Sequence, residues 1–457
     1  MGEFNQWIAQ LIGAEGATAP GNSQASGPQG RSNAGERVSP GWLHRRGKLP
    51  QAANLSGSTT ARGVEFDADC RDMSEPSKPE TTKLSPLDQL HRAHDAKFAS
   101  FAGFELPMSF DGIISEHLAT RSQAGLFDVS HMGIVDLVPK SGLPLSTVID
   151  CLETITPSSI HDLESGGLRY ALLTNAQGGI IDDLIIGREN NQLRLVLNAS
   201  RIAVDLEALE VAVAGHAEVT HREDLAQLAL QGPLAVKVLS QFAPTVADLS
   251  FMEFAQFAID EIDCVVSRSG YTGEDGFELV AASTDIVDLA EKLLDNHAVT
   301  SCGLGARDSL RIEAGLCLYG HELNETITPI EARLGWTIPK RRREHPTFAG
   351  AQVIMHQLSN GPRQTRVGIA SLTRRPIRDG AVLRDESGLD VGVVTSGGFG
   401  PSCDAPVAMG YVERSSSDPE TPLVAEVRGK EVPCRIHSLP FVQHKYKRNR
   451  GQINART

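Results

Sequence analysis

The sequence predicts a mixed α+β body over residues 84–350, followed by an all-β unit over 363–447. Three observations carry this. Segments of helical periodicity alternate with short apolar runs through the body. Pairs of those runs are joined by polar or glycine-rich turns. Beyond Pro362 helical periodicity stops, and only short strands separated by Gly and Pro follow, the pattern of a small closed barrel or sandwich.

The first 83 residues read as an N-terminal extension. Up to about Asp72 they are rich in Gly, Ser, Ala and Pro, too polar to offset the entropy of ordering, so disorder is expected. One exception is Phe4, Trp7, Ile8, Leu11 and Ile12, which share a helical face. The first base is Arg31, preceded by Glu3 and Glu15, which fits neither a secretory signal nor a mitochondrial presequence. Met73 opens an ordinary N-terminus and is the expected translation start.

Within the body, IIDDLIIG, the turn RENNQ and LRLVLNA form a hairpin. Ile202, Leu206, Leu209 and Val213 make a helical stripe closed by Gly215, and a further helix is expected to start at Gly232-Pro233. IDCVVSRS pairs with GFELV across a glycine-rich turn. Ile286, Leu289, Ala290, Leu293 and Leu294 then mark a helix with Ser283 or Thr284 as its cap. RVGIA, VGVVTSG, VAMGYV, LVAEVRG and EVPCRI are the strands of the all-β unit.

Composition narrows the functional classes. The chain has 457 residues, 40% hydrophobic and 22% charged, with a net charge of -14 from 43 Lys+Arg and 57 Asp+Glu. This acidity argues against nucleic acid and anionic membranes as partners. No apolar run approaches the ~20 residues of a membrane span. The seven cysteines are scattered, odd in number and without C-x-x-C, which suggests a reducing compartment and no zinc site.

The chemistry-bearing residues each admit two readings. His91 and His94 share a helical face but lack the H-E-x-x-H arrangement, which favours a structural or hydrogen-bonding role over metal. Asp128, in GLFDVSHMG, sits where an apolar stretch meets a small polar turn beside Ser130 and His131. It is a tuned catalytic carboxylate or an ordinary turn acid. Glu278 follows Phe277 inside a strand, where a carboxylate must be paired or used for recognition. Arg307 suits bidentate capture of a carboxylate, or an intrahelical salt bridge. Lys340–Arg343 reads as a solvated loop or a docking patch for an anion.

FAGFELPMSF, GLFDVSHMG, GGIIDDLI, SRSGYTGEDGFELV, GARDSLRIEAGLCLYGHEL, TPIEARLGW, PKRRR, VTSGGFGPS, VAMGYV and LPFVQHKY occur in one order across residues 84–447. Together they resemble the T-protein of the glycine cleavage system, the aminomethyltransferase family. The resemblance implies a three-domain cloverleaf around a folate channel, whose last domain is the all-β unit. It implies transfer of a methylene from the aminomethyl group on the lipoyl arm of the H-protein to tetrahydrofolate, with release of ammonia and formation of 5,10-methylenetetrahydrofolate. Tetrahydrofolate is the co-substrate and lipoylated H-protein the partner, with no metal, no nucleic acid and no membrane.

By the same resemblance Asp128 is the catalytic carboxylate and Glu278 pairs with the pterin. Arg307 and Tyr446 serve the folate site, and Asn198, Tyr271 and Met108 line the pocket. The resemblance also makes the 340–343 run a family feature near the H-protein docking face. Phe110 departs from the family, which often carries Tyr there. A bacterial cytoplasm is expected, with the mitochondrial matrix as the alternative.

Two rival folate-binding families are similar. The dimethylglycine and sarcosine oxidizing enzymes carry a flavin fingerprint, G-x-G-x-x-G after a strand, which this chain lacks. A non-enzymatic folate-binding group carries a Cys-bearing K-G-C-Y-type motif where this chain has SGYTGE.

Overall fold

A computed structural model describes residues 82–448. The expectations for the extension, the helical face at its start and the Met73 start lie outside the described residues. Lys83, assigned by composition to that extension, instead opens a strand: Lys83–Leu84 pairs in parallel with Phe104 and Glu105 at the edge of a small three-stranded sheet. A two-residue strand held by a neighbour leaves no compositional mark.

Three sheets organise the rest. A six-stranded sheet runs in the order 254–259, 262–267, 276–282, 225–231, 124–128 and 299–302. A five-stranded sheet runs 168–174, 180–188, 193–197, 133–139 and 217–221, and a closed six-stranded barrel is built from segments between 364 and 437. Each has its own apolar core, so the fold is the mixed α+β body with a C-terminal β-barrel. No helix among the described residues is long and apolar enough to cross a membrane.

The helical stripes become buried faces. Ile286–Leu294 buries Ile286, Leu289, Ala290 and Leu293 against the six-stranded sheet, with Asp285 as its cap in place of Ser283 or Thr284. Ile202–Ala212 packs on the five-stranded sheet and is capped by Val213; Gly215, expected to close it, lies two residues on in a turn, where its φ of +81° favours glycine. The helix expected at Gly232-Pro233 begins later and is short, Ala235–Leu239. At Gly232 a side chain would meet the Gln123 carbonyl at 2.4 Å, so the Gly-Pro pair is a close passage between segments.

The basic run at 340–343 is also corrected. Lys340–Glu344 is a helical turn, and Arg342 is buried. The guanidinium of Arg342 donates to the carbonyls of Glu153 and Thr156, and Arg341 pairs with the Glu153 carboxylate. Arg343 donates to the carbonyls of Ile338 and Gly335. Glu153 also accepts the backbone N–H groups of Ile160 and His161, so the arginines tie this turn to the 153–161 loop. Lys340 is the most exposed of the ion-paired bases and reaches only along its own turn, to Glu344 at 3.6 Å.

Candidate active site

Ala124–Asp128 is a strand buried along its whole length inside the six-stranded sheet. Asp128 ends it, and its carboxylate is fully enclosed. Oδ1 accepts the Ser130 N–H at 2.9 Å, while Oδ2 meets His91 Nε2 at 2.8 Å and accepts the Ser85 hydroxyl. Burial pushes this carboxyl up, but His91, Ser85 and the Ser130 N–H together outweigh burial and hold it below the ordinary carboxylate value. It is a dry, ionised carboxylate.

A second group of polar residues gathers around the helix Leu304–Glu313. Its entry is tight: a side chain at Gly303 would meet the Met108 backbone at 2.3 Å, and the Gly303 N–H donates to Glu116 at 2.8 Å. Met108 is therefore fully buried against this helix start, its sulfur beside Gly305. One turn in, the Arg307 guanidinium lies over the Tyr271 ring, 4.7 Å from its centroid. The Tyr271 hydroxyl donates to the Cys317 carbonyl. Burial pulls Arg307 below its usual value, and the charge of Glu278 works against that. Glu278 accepts the Ser269 hydroxyl at 2.6 Å. The intrahelical salt bridge goes to Arg311 instead, which pairs with Asp308 and Glu322 at 2.8 and 2.7 Å.

His131 links the two groups. It is buried, with the rings of Phe101 and Phe104 edge-on to it at 5.6 and 6.4 Å. Burial lowers its pKa to about 4; the charge of Arg307 acts in the same direction and that of Asp128 against it. The imidazole is neutral at pH 7. His131 Nδ1, Gln227 Oε1 and Arg307 Nη1 are buried polar atoms without a partner in the protein. Such atoms need an explanation, and a polar ligand is one.

Two of the residues named by the resemblance are engaged with other side chains. The Asn198 amide is taken up by Asp182 and Asp183, at 2.9 and 3.0 Å. The Tyr446 ring stacks on Phe251 at 4.0 Å, near-parallel. Phe110, the departure from the family, meets His91 edge-on at 5.7 Å, so its substitution bears on the surroundings of Asp128.

Two family models match: the GCVT N-terminal domain over residues 87–342 and the glycine cleavage T-protein C-terminal barrel domain over 365–443. The chain belongs to the glycine cleavage T-protein family. An aminomethyltransferase named as mitochondrial from Dictyostelium discoideum is 39% identical over 365 residues, covering 76% of this chain and 89% of that protein. One from Pisum sativum, also named mitochondrial, is 40% identical over 357 residues, 75% of this chain and 85% of the relative. The crystal structure of glycine cleavage system aminomethyltransferase T from Bartonella henselae is 43% identical, with a TM-score of 0.75, covering 80% of this chain and all of that one. The chain is an enzyme, an aminomethyltransferase.

In this aminomethyltransferase the residues to which sequence reasoning gave no role are Ser85, His131 and Gln227, and the hydrogen-bonding role expected of His91 falls on Asp128. His91 had a signal, since it shares a helical face with Leu87 and Leu90. Nothing local says that this face meets Asp128, 37 positions on. Among the described residues no group of three or more His, Cys, Asp or Glu is placed to hold a metal ion.

Proposed function

We propose that the protein transfers the methylene of the aminomethyl group on the lipoyl arm of the H-protein to tetrahydrofolate, releasing ammonia and forming 5,10-methylenetetrahydrofolate. The reading is supported chiefly by one observation: an ionised, desolvated Asp128 and a buried Arg307 with a free N–H, whose charges both act on the buried His131. The attacking amine of tetrahydrofolate becomes cationic as it bonds to the methylene. A fixed carboxylate in a dry site stabilises that charge and takes up the proton. Glu278 accepts the adjacent N–H donors of the pterin edge, and Arg307 complements an anionic carboxylate of folate. Tyr271 holds the Arg307 plane from below. Met108, Tyr446 and Asn198 contribute to the walls, Asn198 through Asp182 and Asp183.

The body at 84–350 and the barrel at 363–447 are the domains of this reading. Its cloverleaf surrounds the folate channel. The relatives' names favour the mitochondrial matrix over the cytoplasmic expectation, and recovery of the native protein in a cytosolic fraction free of organelle markers would reverse that. The reaction is tested by ammonia release from aminomethylated H-protein with and without tetrahydrofolate. Folate-dependent release with methylenetetrahydrofolate in step supports it. Folate binding without release would move the protein to a folate-binding role.

A further inference from the structure

His91 is the residue of the His91–His94 pair that the proposed reaction leaves without a task. It stands on the helix Asp88–Ala93, and His94 caps that helix. Nε2 of His91 contacts Asp128 Oδ2 at 2.8 Å. The side chain of Asp128 has no exposed surface, whereas that of His91 keeps 9%. Any proton that Asp128 exchanges with the medium through the protein therefore has a titratable neighbour already in contact and nearer to water.

A pocket lies on the same side. Its polar lining includes His91, His94 and Asp128, and its apolar walls include Phe110, Leu126 and Leu228. It offers about 20 Å³ of room for water, above the ~10–15 Å³ that one molecule needs. The helix Ile286–Leu294 contributes Ala290 and Leu294, and the strand Val299–Cys302 contributes Ser301 and Cys302, so neither adds a charge. Asp128 and His94 are thus the ionisable carboxyl and imidazole facing His91 across this space. Strand alternation puts Leu126, Asp128 and Leu228 on one sheet face, and Phe127, Ala229 and Glu278 on the other. The pocket opens on the face away from Glu278.

We propose that His91 is the positioning residue of Asp128 and its proton relay, passing the carboxyl proton to a water in this pocket on the sheet face opposite Glu278. The inference rests on the transfer reading above and deepens it. In the step the O–H bond at Asp128 Oδ2 breaks and an N–H bond forms at His91 Nε2. The N–H at Nδ1 then breaks, its proton goes to the pocket water, and a flip of the neutral ring turns its bare nitrogen back toward Asp128 for the next proton. Nothing is oxidised or reduced. The carboxylate is thus regenerated on the sheet face opposite Glu278.

The wild-type protein, assayed for folate-dependent ammonia release, tests the reading itself; no release sinks both the reading and the relay. Given release, His91→Ala lowers kcat at least ~10-fold with KM for tetrahydrofolate unchanged, and added imidazole restores much of the rate. His91→Gln fills the space and donates to Asp128 but cannot relay, so it stays slow and is not rescued. Wild-type kcat in His91→Ala overturns the proposal. Full activity in His91→Gln overturns the relay, and is read even if His91→Ala fails to fold. A slow, folded His91→Ala that binds tetrahydrofolate normally but ignores imidazole also overturns the relay.

Discussion

Asp128 and Glu278 leave neighbouring rungs of one sheet on opposite faces. On the strand between them, Leu228 stands opposite Asp128 and Ala229 opposite Glu278. Successive residues of a strand point to opposite sides. In the proposed reaction, a substrate held by Glu278 therefore meets Asp128 only around the strand end, past His131. That separation divides binding from proton handling, and the two are expected to fail independently.

Asp128→Asn is expected to keep tetrahydrofolate binding and to lose turnover by ~10²-fold or more, because the shape persists while the charge and the proton acceptor go. Titration of tetrahydrofolate and ammonia release on the same preparation measure both. Equal turnover in the variant would remove Asp128 from the chemistry.

Glu278→Ala is expected to weaken tetrahydrofolate binding by about 1–3 kcal/mol, the cost of leaving polar partners unmatched, with turnover at saturation reduced much less. Arg307→Met should act in the same direction. Unchanged affinity in both would refute the assigned folate contacts.

Sequence patterns reached some of this molecule and not the rest. Ile286, Leu289, Ala290 and Leu293 were legible as a buried face because period and apolarity agree within one element. Glu278 was legible as a half-buried strand acid because alternation is local. The Asp128 environment was not, since Ser85 and His91 reach it from 43 and 37 positions away. Arg342 misled for the same reason. A run of four bases reads as solvated until its carbonyl and carboxylate partners at 153–156 are known.

Those partners make a stability prediction. Glu153→Ala leaves the buried Arg342 guanidinium and the N–H groups of Ile160 and His161 without their carboxylate. A loss of ~3–5 kcal/mol is expected, as for other broken buried ion pairs. Lys340→Ala, on the same turn but in solvent, should stay within ~0.5 kcal/mol of wild type. Urea unfolding of the two variants separates them. Equal midpoints would mean that the arginines are not fastening the turn.

Asp182 and Asp205 set the behaviour on the alkaline side. Asp182 shares the core-facing row of its strand with Ile180, Leu184 and Ile186, and Asp205 lies buried on the helix packed above. Neither carboxylate oxygen of Asp205 meets an N–H or ordinary O–H donor. Burial first, and for Asp182 the charge of Asp205 next, raises both carboxyl groups well above the usual range, so the folded protein keeps a proton that the two acids share. Asp183 is pushed up to about 7 by burial and by the Asp182 charge. The folded state therefore binds more protons than the unfolded chain, whose carboxyls titrate near ~4. The stabilising contribution is complete below that range and is lost as pH rises toward neutrality and beyond, at up to ~1.4 kcal/mol per pH unit for each proton. Glu313 works in the opposite sense. Hydrogen bonding and charge from His117, with Ser402 and Arg121, outweigh burial and hold it at about 2, so its contribution is lost only in acid and does not overlap this window. Asp205→Asn keeps the shape and removes one acid, so its urea midpoint should fall less between pH ~5 and ~8.5 than that of wild type. Parallel midpoints across that interval would mean that no proton is shared between Asp182 and Asp205.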